Sequence, residues 1–505
     1  MRVEDYGMPP PTGLYGTSLA LLTDLYELTM AYGYWKTGLG QREAVFNLTF
    51  RKNPFGGGFT IACGQAYVLD FLSHVHFDES DVAYLATLRG NDGQPLFEAA
   101  FLDFLRALRF DCEVDAVPEG TVVFPHEPLL RVRGPLITAQ LLETPLLNLM
   151  NFQTLIATKA ARVCLAARGE PVLEFGLRRA QGIDGGIAAS RAAYIGGCAS
   201  TSNVLAGKLF GIPVSGTHAH SWVMAFDSEP AAFEAYADAM PNNCVLLVDT
   251  YDTLAGVRHA AEVGRRLRQR RHQLVGIRLD SGDLAYLSIE ARKILDAAGL
   301  ADTKILASND LDEHIITSLK EQGARISVWG VGTRLVTAYD EPALGGVYKL
   351  AAIRSADGAW RPTIKLSEQV ARINTPGTLQ VRRFERDGQF VGDMIFDETQ
   401  SAPGPWTMID PLDPIRRKRI PAGMPHADLL VPLLRSGRPA CEPWTLADAR
   451  RRVQEQIERL HPGIRRFVNP HTYPVGLEQG LHELRTELIL QARQRAGPTP
   501  PEPSP

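Results

Sequence analysis

The stretch CVLLVDTYDTLAGVRHAAEVGRRLRQRRHQLVGIRLD (244–280) decides the fold. It opens on an apolar, β-branched run and passes into a helical pattern. It then closes on a second apolar run. Strand, helix and strand in so short a span imply a parallel pair joined by a crossover. Similar units lie on both sides. Upstream, PVLEF (171–175), a short run near CAST (198–201) and IPVSGT (212–217) read as strands; downstream, KILASND (304–310) and RISVWGVG (325–332) do. Helical patterns fill the gaps: GGIAASRAAYIGG (185–197), PAAFEAYADAM (230–240), LAYLSIEARKILDAAG (284–299) and LDEHIITSLKEQG (311–323). Strands alternating with helices predict an α/β fold, here an irregular, TIM-like β/α barrel over residues 166–370.

The strand ends carry the polar residues Glu174, Thr217, Asp249, Asp280, Asn309 and Gly332. Such residues also cap helices. Six in succession favour a shared site at the carboxyl ends of the strands, where β/α barrels place their chemistry.

Upstream of the barrel, TDLYELTMAYGYW (23–35) reads as a helix and AVFNLTFRK (44–52) as a strand. LLETPLLNLMNFQTLIATKAARV (141–163) reads as a long apolar helix, giving an N-terminal α+β domain over 23–165. Downstream, VYKLAAIR (347–354) and AWRPTIKL (359–366) flank one Asp-Gly turn, and LQVRRFER (379–386) and QFVGDMIF (389–396) flank another, so both read as β-hairpins. With the helix of TLADARRRVQEQIERL (445–460), the elements of 371–495 are expected to pack on the N-terminal domain. Residues 1–22 and the proline-rich tail 496–505 read as loose ends.

Composition narrows the function classes. A formal charge of -4 over 505 residues gives no sign of a nucleic-acid surface. The six cysteines are scattered without a C-x-x-C pair, which fits free thiols in a reducing compartment. No apolar run reaches the roughly 20 residues of a membrane helix, and no basic-then-apolar leader opens the chain. A cytoplasmic protein is expected.

The sharpest chemical segment is GTHAHSW (216–222), which brings two imidazoles to a strand end. Asp249, at the next strand end, could bond one ring nitrogen and leave the other free to attack. No third ligand at metal spacing accompanies the histidines, so a zinc site is the weaker reading. In GIRLDSGDL (276–284), Arg278 suits a carboxylate or phosphate, while Asp280 and Asp283 suit ribose hydroxyls or magnesium, with Ser281 or Asp283 also capping the next helix. In WGVGTRLVT (329–337), Gly330, Gly332 and Thr333 would let backbone N–H groups approach a phosphate. In EFGLRRAQG (174–182), Phe175 could stack on a flat ring and Arg178 or Arg179 could meet an anion. Two other patterns fail. Gly207–Lys208 lacks the first glycine of a Walker A loop, and LLVDTYDT has Thr250 where a phosphoribosyl pyrophosphate loop carries a second acid.

These segments, together with TDLYELTM, FRKNPFGGG, ASNDLDE and LGGVYKL, occur in an order that resembles the nicotinate phosphoribosyltransferase family from Thr23 to Lys365. The resemblance implies a homodimer with active sites at the subunit interface, and an ATP-coupled C–N ligation of nicotinate to phosphoribosyl pyrophosphate in NAD biosynthesis. It implies Mg2+ as cofactor and ATP as co-substrate. His220 matches the histidine that ATP phosphorylates, with Asp249 orienting it. Tyr26 of the partner subunit and Phe175 would enclose the pyridine ring, and Thr217 and Arg278 would contact nicotinate. Gly332 and Thr333 would hold the ribose 5-phosphate. Asp280 and Asp310 resemble ribose or magnesium contacts, and Arg178, Arg51 and Lys349 contacts to phosphoribosyl pyrophosphate.

Two alternatives compete. A nicotinamide phosphoribosyltransferase would place an acid near the substrate amide, yet GGCASTSNVLAGKLFGIP (196–213) holds none. A non-catalytic nucleotide-binding relative would have lost a charged site residue, and none is missing.

Overall fold

The computed structural model describes residues 16–400, 403–442 and 444–495. Most of the expected loose N-terminus and all of the expected tail lie outside these residues. The chain forms two compact units, Leu155–Pro342 and the pairing of Met1–Thr154 with Ala343–Pro505.

In the first unit, six parallel strands make one sheet: β1 (Val172–Glu174), β2 (Ser200–Thr201), β3 (Val245–Leu247), β4 (Gly276–Leu279), β5 (Lys304–Ala307) and β6 (Val328–Val331). Their order is β2-β1-β6-β5-β4-β3, so the first strand pairs with the last. The strands are short, apolar and mostly buried, as a parallel sheet covered on both faces requires. Helices Gly182–Ile195, Thr253–Gln269, Leu284–Ala297 and Glu313–Glu321 occupy the expected crossovers.

One expected strand is absent. Residues 212–217 make only a single parallel bridge, Thr201 with Val214. Pro213 has no N–H to give, and its carbonyl accepts the Thr201 N–H at 3.0 Å. The backbone ladder ends at β3, and the expected barrel is seen as a mixed α/β fold around this six-stranded sheet.

Helix capping falls on a second set of acids, each a few residues beyond a strand end. Asp252, Asp283 and Asp312 accept from the N–H groups of Ala255 (2.7 Å), Tyr286 (3.0 Å) and Ile315 (2.8 Å). The residues three positions earlier, Asp249, Asp280 and Asn309, are thereby left for other work.

The second unit holds a seven-stranded sheet in which Glu43–Thr49 pairs antiparallel with both Leu130–Pro135 and Val347–Arg354. The expected span 166–370 thus reaches past its unit, because Val347–Arg354 finds its ladder partner beside Glu43–Thr49. From the C-terminal part, Val431–Arg435 joins the same sheet against Glu113–Ala116. A six-stranded sheet is built round the hairpin of Leu379–Arg386 with Gln389–Asp397. Its turn residues Asp387 and Gly388 both have positive φ, 51° and 75°, the conformation an Asp-Gly turn supplies. Among the described residues no helix is long and apolar enough to cross a membrane.

Candidate active site

Arg278, the third residue of β4, organises the carboxyl ends of the parallel strands. Its Nε donates to Ser308 Oγ at 2.8 Å, Nη1 to Thr217 Oγ1 at 3.1 Å and Nη2 to Asp280 Oδ1 at 3.0 Å. Its guanidinium carbon stands 5.9 Å from the centroid of the Phe175 ring. A planar fork of five N–H donors suits this role, since it can hold three partners and still face an aromatic ring. Thr217, Arg278, Asp280 and Phe175 are thus brought together. Ser308 is added. Sequence reasoning passed over it, although a hydroxyl beside Asn309 at a strand end was its signal.

Asp280 also accepts from the Ser308 hydroxyl. Burial alone would raise its carboxyl, but the Ser308 hydroxyl and the Arg278 guanidinium hold it below the usual carboxylate range. It is a carboxylate at neutral pH.

His220 opens the short helix His220–Met224. The next helix, Glu229–Ala239, steadies that turn through Trp222 Nε1, which donates to the Ala232 carbonyl at 3.0 Å. The expected partner of His220 was Asp249, and here the structure corrects the sequence reading. His220 Nδ1 lies 3.1 Å from Thr250 Oγ1. Asp249 instead accepts from the Asp280 N–H at 2.8 Å and the Ser281 hydroxyl at 2.7 Å. Its carboxylate satisfies the turn after β4, which has exposed donors that a helix start leaves over. Ser281 therefore serves Asp249, while Asp283 caps the helix. The other ring nitrogen, His220 Nε2, is 3.9 Å from Asp280 Oδ2, too far for a hydrogen bond.

Phe175 is held by its backbone: its N–H donates to the Val331 carbonyl at 2.8 Å. The preceding Glu174, fully buried, accepts from Thr201 Oγ1 at 2.6 Å, Ser190 Oγ at 2.9 Å and the Gly176 N–H. Gly330 has a packing reason as well: a Cβ there would come within 2.9 Å of the Phe175 ring. Gly332 and Thr333 start the four-residue helix Thr333–Val336 and are half-buried. Asp310 and Arg178 are exposed, outside the Arg278 network.

Tyr26, Arg51 and Lys349 belong to the other unit. Tyr26 is exposed on helix Leu25–Lys36, and burial of its hydroxyl together with the Glu143 and Glu27 carboxylates pushes its phenol up to about 12. Arg51 and Lys349 line one pocket with Asn47, His126, Arg372 and Asn374. Lys349 Nζ is 3.6 Å from Glu143 Oε1.

Comparison with known proteins covers most of the chain. Residues 21–151 match the family described as nicotinate phosphoribosyltransferase N-terminal domain, 172–363 the nicotinate phosphoribosyltransferase family, and 379–485 the corresponding C-terminal domain. The chain is 43% identical over 488 residues to a nicotinate phosphoribosyltransferase of Bacillus subtilis, covering 96% of this chain and 98% of the relative. It is 37% identical to the Homo sapiens protein of the same name, over 93% of this chain and 96% of the relative. The crystal structure of human nicotinic acid phosphoribosyltransferase superposes with a TM-score of 0.80 at 34% identity, covering 92% of this chain and 99% of that one.

Proposed function

The chain belongs to the nicotinate phosphoribosyltransferase family, and from that premise we propose that it joins nicotinate to phosphoribosyl pyrophosphate, yielding nicotinate mononucleotide and pyrophosphate for NAD salvage. The observation that carries this reading is the convergence of Phe175, Thr217, Arg278, Asp280 and Ser308 round one guanidinium.

In this reading the flat ring lies against Phe175 and its carboxylate meets Arg278 and Thr217. The ring nitrogen lone pair forms a bond to the anomeric carbon as the C–O bond to the diphosphate breaks, and that electron pair leaves with pyrophosphate. The nitrogen carries no proton to lose, so holding the two reactants in line matters more than acid–base help. Asp280, kept ionised, faces the positive charge that develops on the ribose ring. Gly332 and Thr333 would take the 5-phosphate, and Arg178 and Asp310 other parts of phosphoribosyl pyrophosphate. Tyr26 of the partner subunit would cover the pyridine ring in a homodimer.

ATP coupling is part of the proposal. His220 Nε2 would attack the terminal phosphorus of ATP, releasing ADP, and hydrolysis of the phosphohistidine would return the ring. If Nδ1 donates its proton to Thr250, the Nε2 lone pair is free for that attack.

Magnesium fits the carboxylates present. Among the described residues no group of three or more His, Cys, Asp or Glu could hold a metal ion. One or two carboxylates with substrate phosphates and waters suffice for Mg2+. Asp280, and Asp249 with a buried Oδ1 that has no partner, are such carboxylates. When bound, the ion would offset the charge of the departing diphosphate.

We also assign the six-stranded sheet to an irregular β/α barrel, closed at its seam by other means than a backbone ladder. The test of function is incubation with nicotinate, phosphoribosyl pyrophosphate, Mg2+ and ATP. Nicotinate mononucleotide and ADP should form together, and nicotinamide should not replace nicotinate. Equal turnover of nicotinamide, or binding without product, would reject the assignment.

A further inference from the structure

Two segments flank the seam of the parallel sheet. On one side, residues 213–215 sit on the β2 edge: the Thr201 N–H donates to the Pro213 carbonyl and the Ser215 N–H to the Thr201 carbonyl, each at 3.0 Å. On the other side is β3, the last strand of the ladder. The Val248 N–H turns toward β4, donating to the Arg278 carbonyl at 3.2 Å. Successive N–H groups of an extended chain point to opposite sides, so the Leu247 N–H points away from β4, into the seam. Leu247 is buried, and a buried N–H calls for an acceptor.

Its acceptor is a side chain. His218 Nε2 lies 3.1 Å from the Leu247 nitrogen. We propose that His218 is a positioning residue: its uncharged imidazole replaces the missing backbone rung between the 213–217 segment and β3, and thereby sets where His220 stands.

The ring's own geometry supports this. An Nε2 that accepts carries no hydrogen, so the proton sits on Nδ1, which has the Ala219 carbonyl 3.3 Å away to receive it. Tyr236 packs against the ring at a 4.7 Å centroid distance and 62°. Burial lowers the imidazole's affinity for a second proton, in keeping with an uncharged acceptor. Ala219, between the two histidines, is extended, with φ -102° and ψ 169°. Residues on either side of an extended residue face the same way, so His218 and His220 both reach toward the end of β3. The result is two imidazole rungs, His218 to Leu247 and His220 to Thr250. The first is buried and fixes the register; the second is half-exposed and faces the chemistry.

The test compares wild type with His218→Leu and His218→Gln. Glutamine can place an acceptor oxygen near the position of Nε2, and leucine cannot. Hydrogen exchange at the Leu247 amide, resolved to single residues, reads the rung directly. It should quicken about tenfold or more in the Leu variant and keep its protection in the Gln variant. The kcat for ATP-coupled product formation should fall about tenfold with leucine, with the KM for nicotinate little changed, and recover with glutamine. Unchanged Leu247 exchange in the Leu variant, or a Gln variant no better than Leu in both readouts, would overturn the proposal. Should the Leu variant not fold, the Gln variant decides alone: retained protection and turnover support the rung, and fast exchange overturns it. The kinetic arm rests on the function proposed above. If wild type forms no product, that function fails while the exchange arm still judges His218.

Discussion

The Thr250 hydroxyl, not the adjacent carboxylate of Asp249, stands 3.1 Å from Nδ1 of His220. A neutral hydroxyl orients the ring from the Nδ1 side, opposite the Nε2 that the proposed ATP coupling would use. Thr250→Val keeps the shape and removes the bond. It should slow ADP release about tenfold through loss of ring orientation, and Thr250→Ser should restore most of the rate. Equal rates for the Val variant and wild type would return the orienting role to another group.

His220→Ala should abolish ATP hydrolysis coupled to synthesis and leave slow, ATP-independent transfer. In the proposed reading the two activities are separable, because the contacts assigned to nicotinate run through Arg278, which bonds Thr217 and Asp280 and not His220. Measuring ADP and nicotinate mononucleotide in one reaction checks this. ADP formation that still tracks product in the variant would exclude the phosphohistidine.

Arg278→Lys retains the charge and loses the fork. One ammonium cannot span Ser308, Thr217 and Asp280 in the same plane. The KM for nicotinate should rise by about tenfold or more, and stability should fall by about 1–3 kcal/mol from unpaired polar groups. Steady-state kinetics and a denaturant titration read the two effects separately. A KM within error of wild type would remove Arg278 from the substrate pocket.

Gly330→Ala pushes a Cβ to within 2.9 Å of the Phe175 ring. The ring must shift, because its backbone is tied to Val331. The expected cost is about 1–3 kcal/mol of overpacking, with a raised KM for nicotinate and an unchanged KM for ATP. Both constants moving equally would argue against a ring-stacking role for Phe175.

The His218 rung predicts a pH dependence of stability. Its folded imidazole titrates below the ordinary 6.5, through burial first and then the charges of Arg278 and His220, with the Ala219 carbonyl opposing. Tyr236 faces it from helix Glu229–Ala239. Above pH 6.5 the ring is neutral in both folded and unfolded chains, and the bond to Leu247 contributes fully. As pH falls through 6.5 the unfolded chain takes the proton first, so stability is lost. Between about pH 7.5 and about pH 5.5, Tm should drop further for wild type than for His218→Gln. Identical drops would show that other groups carry the acid sensitivity.

Read as a string, the chain yields its alternation of strands and helices, because apolar periodicity and acidic caps are local properties of neighbouring residues. The strand ends at Glu174, Asp249, Asp280 and Asn309 are legible for the same reason, as is the Asp-Gly hairpin at 387–388. Local pattern offered Ser281 or Asp283 as the cap after Asp280 but did not separate Asp252 from Asp249; the bonds made in the folded turns do both. Nor could it assign Thr250 rather than Asp249 to His220, or give Ser308 to Arg278. A hydrogen bond depends on the direction of a side chain to within an ångström, and residues about 30 positions apart acquire that direction only from the packing of the strands that carry them. Spacing along the chain determined what kinds of groups this protein presents. Only the tertiary structure decided which of them touch.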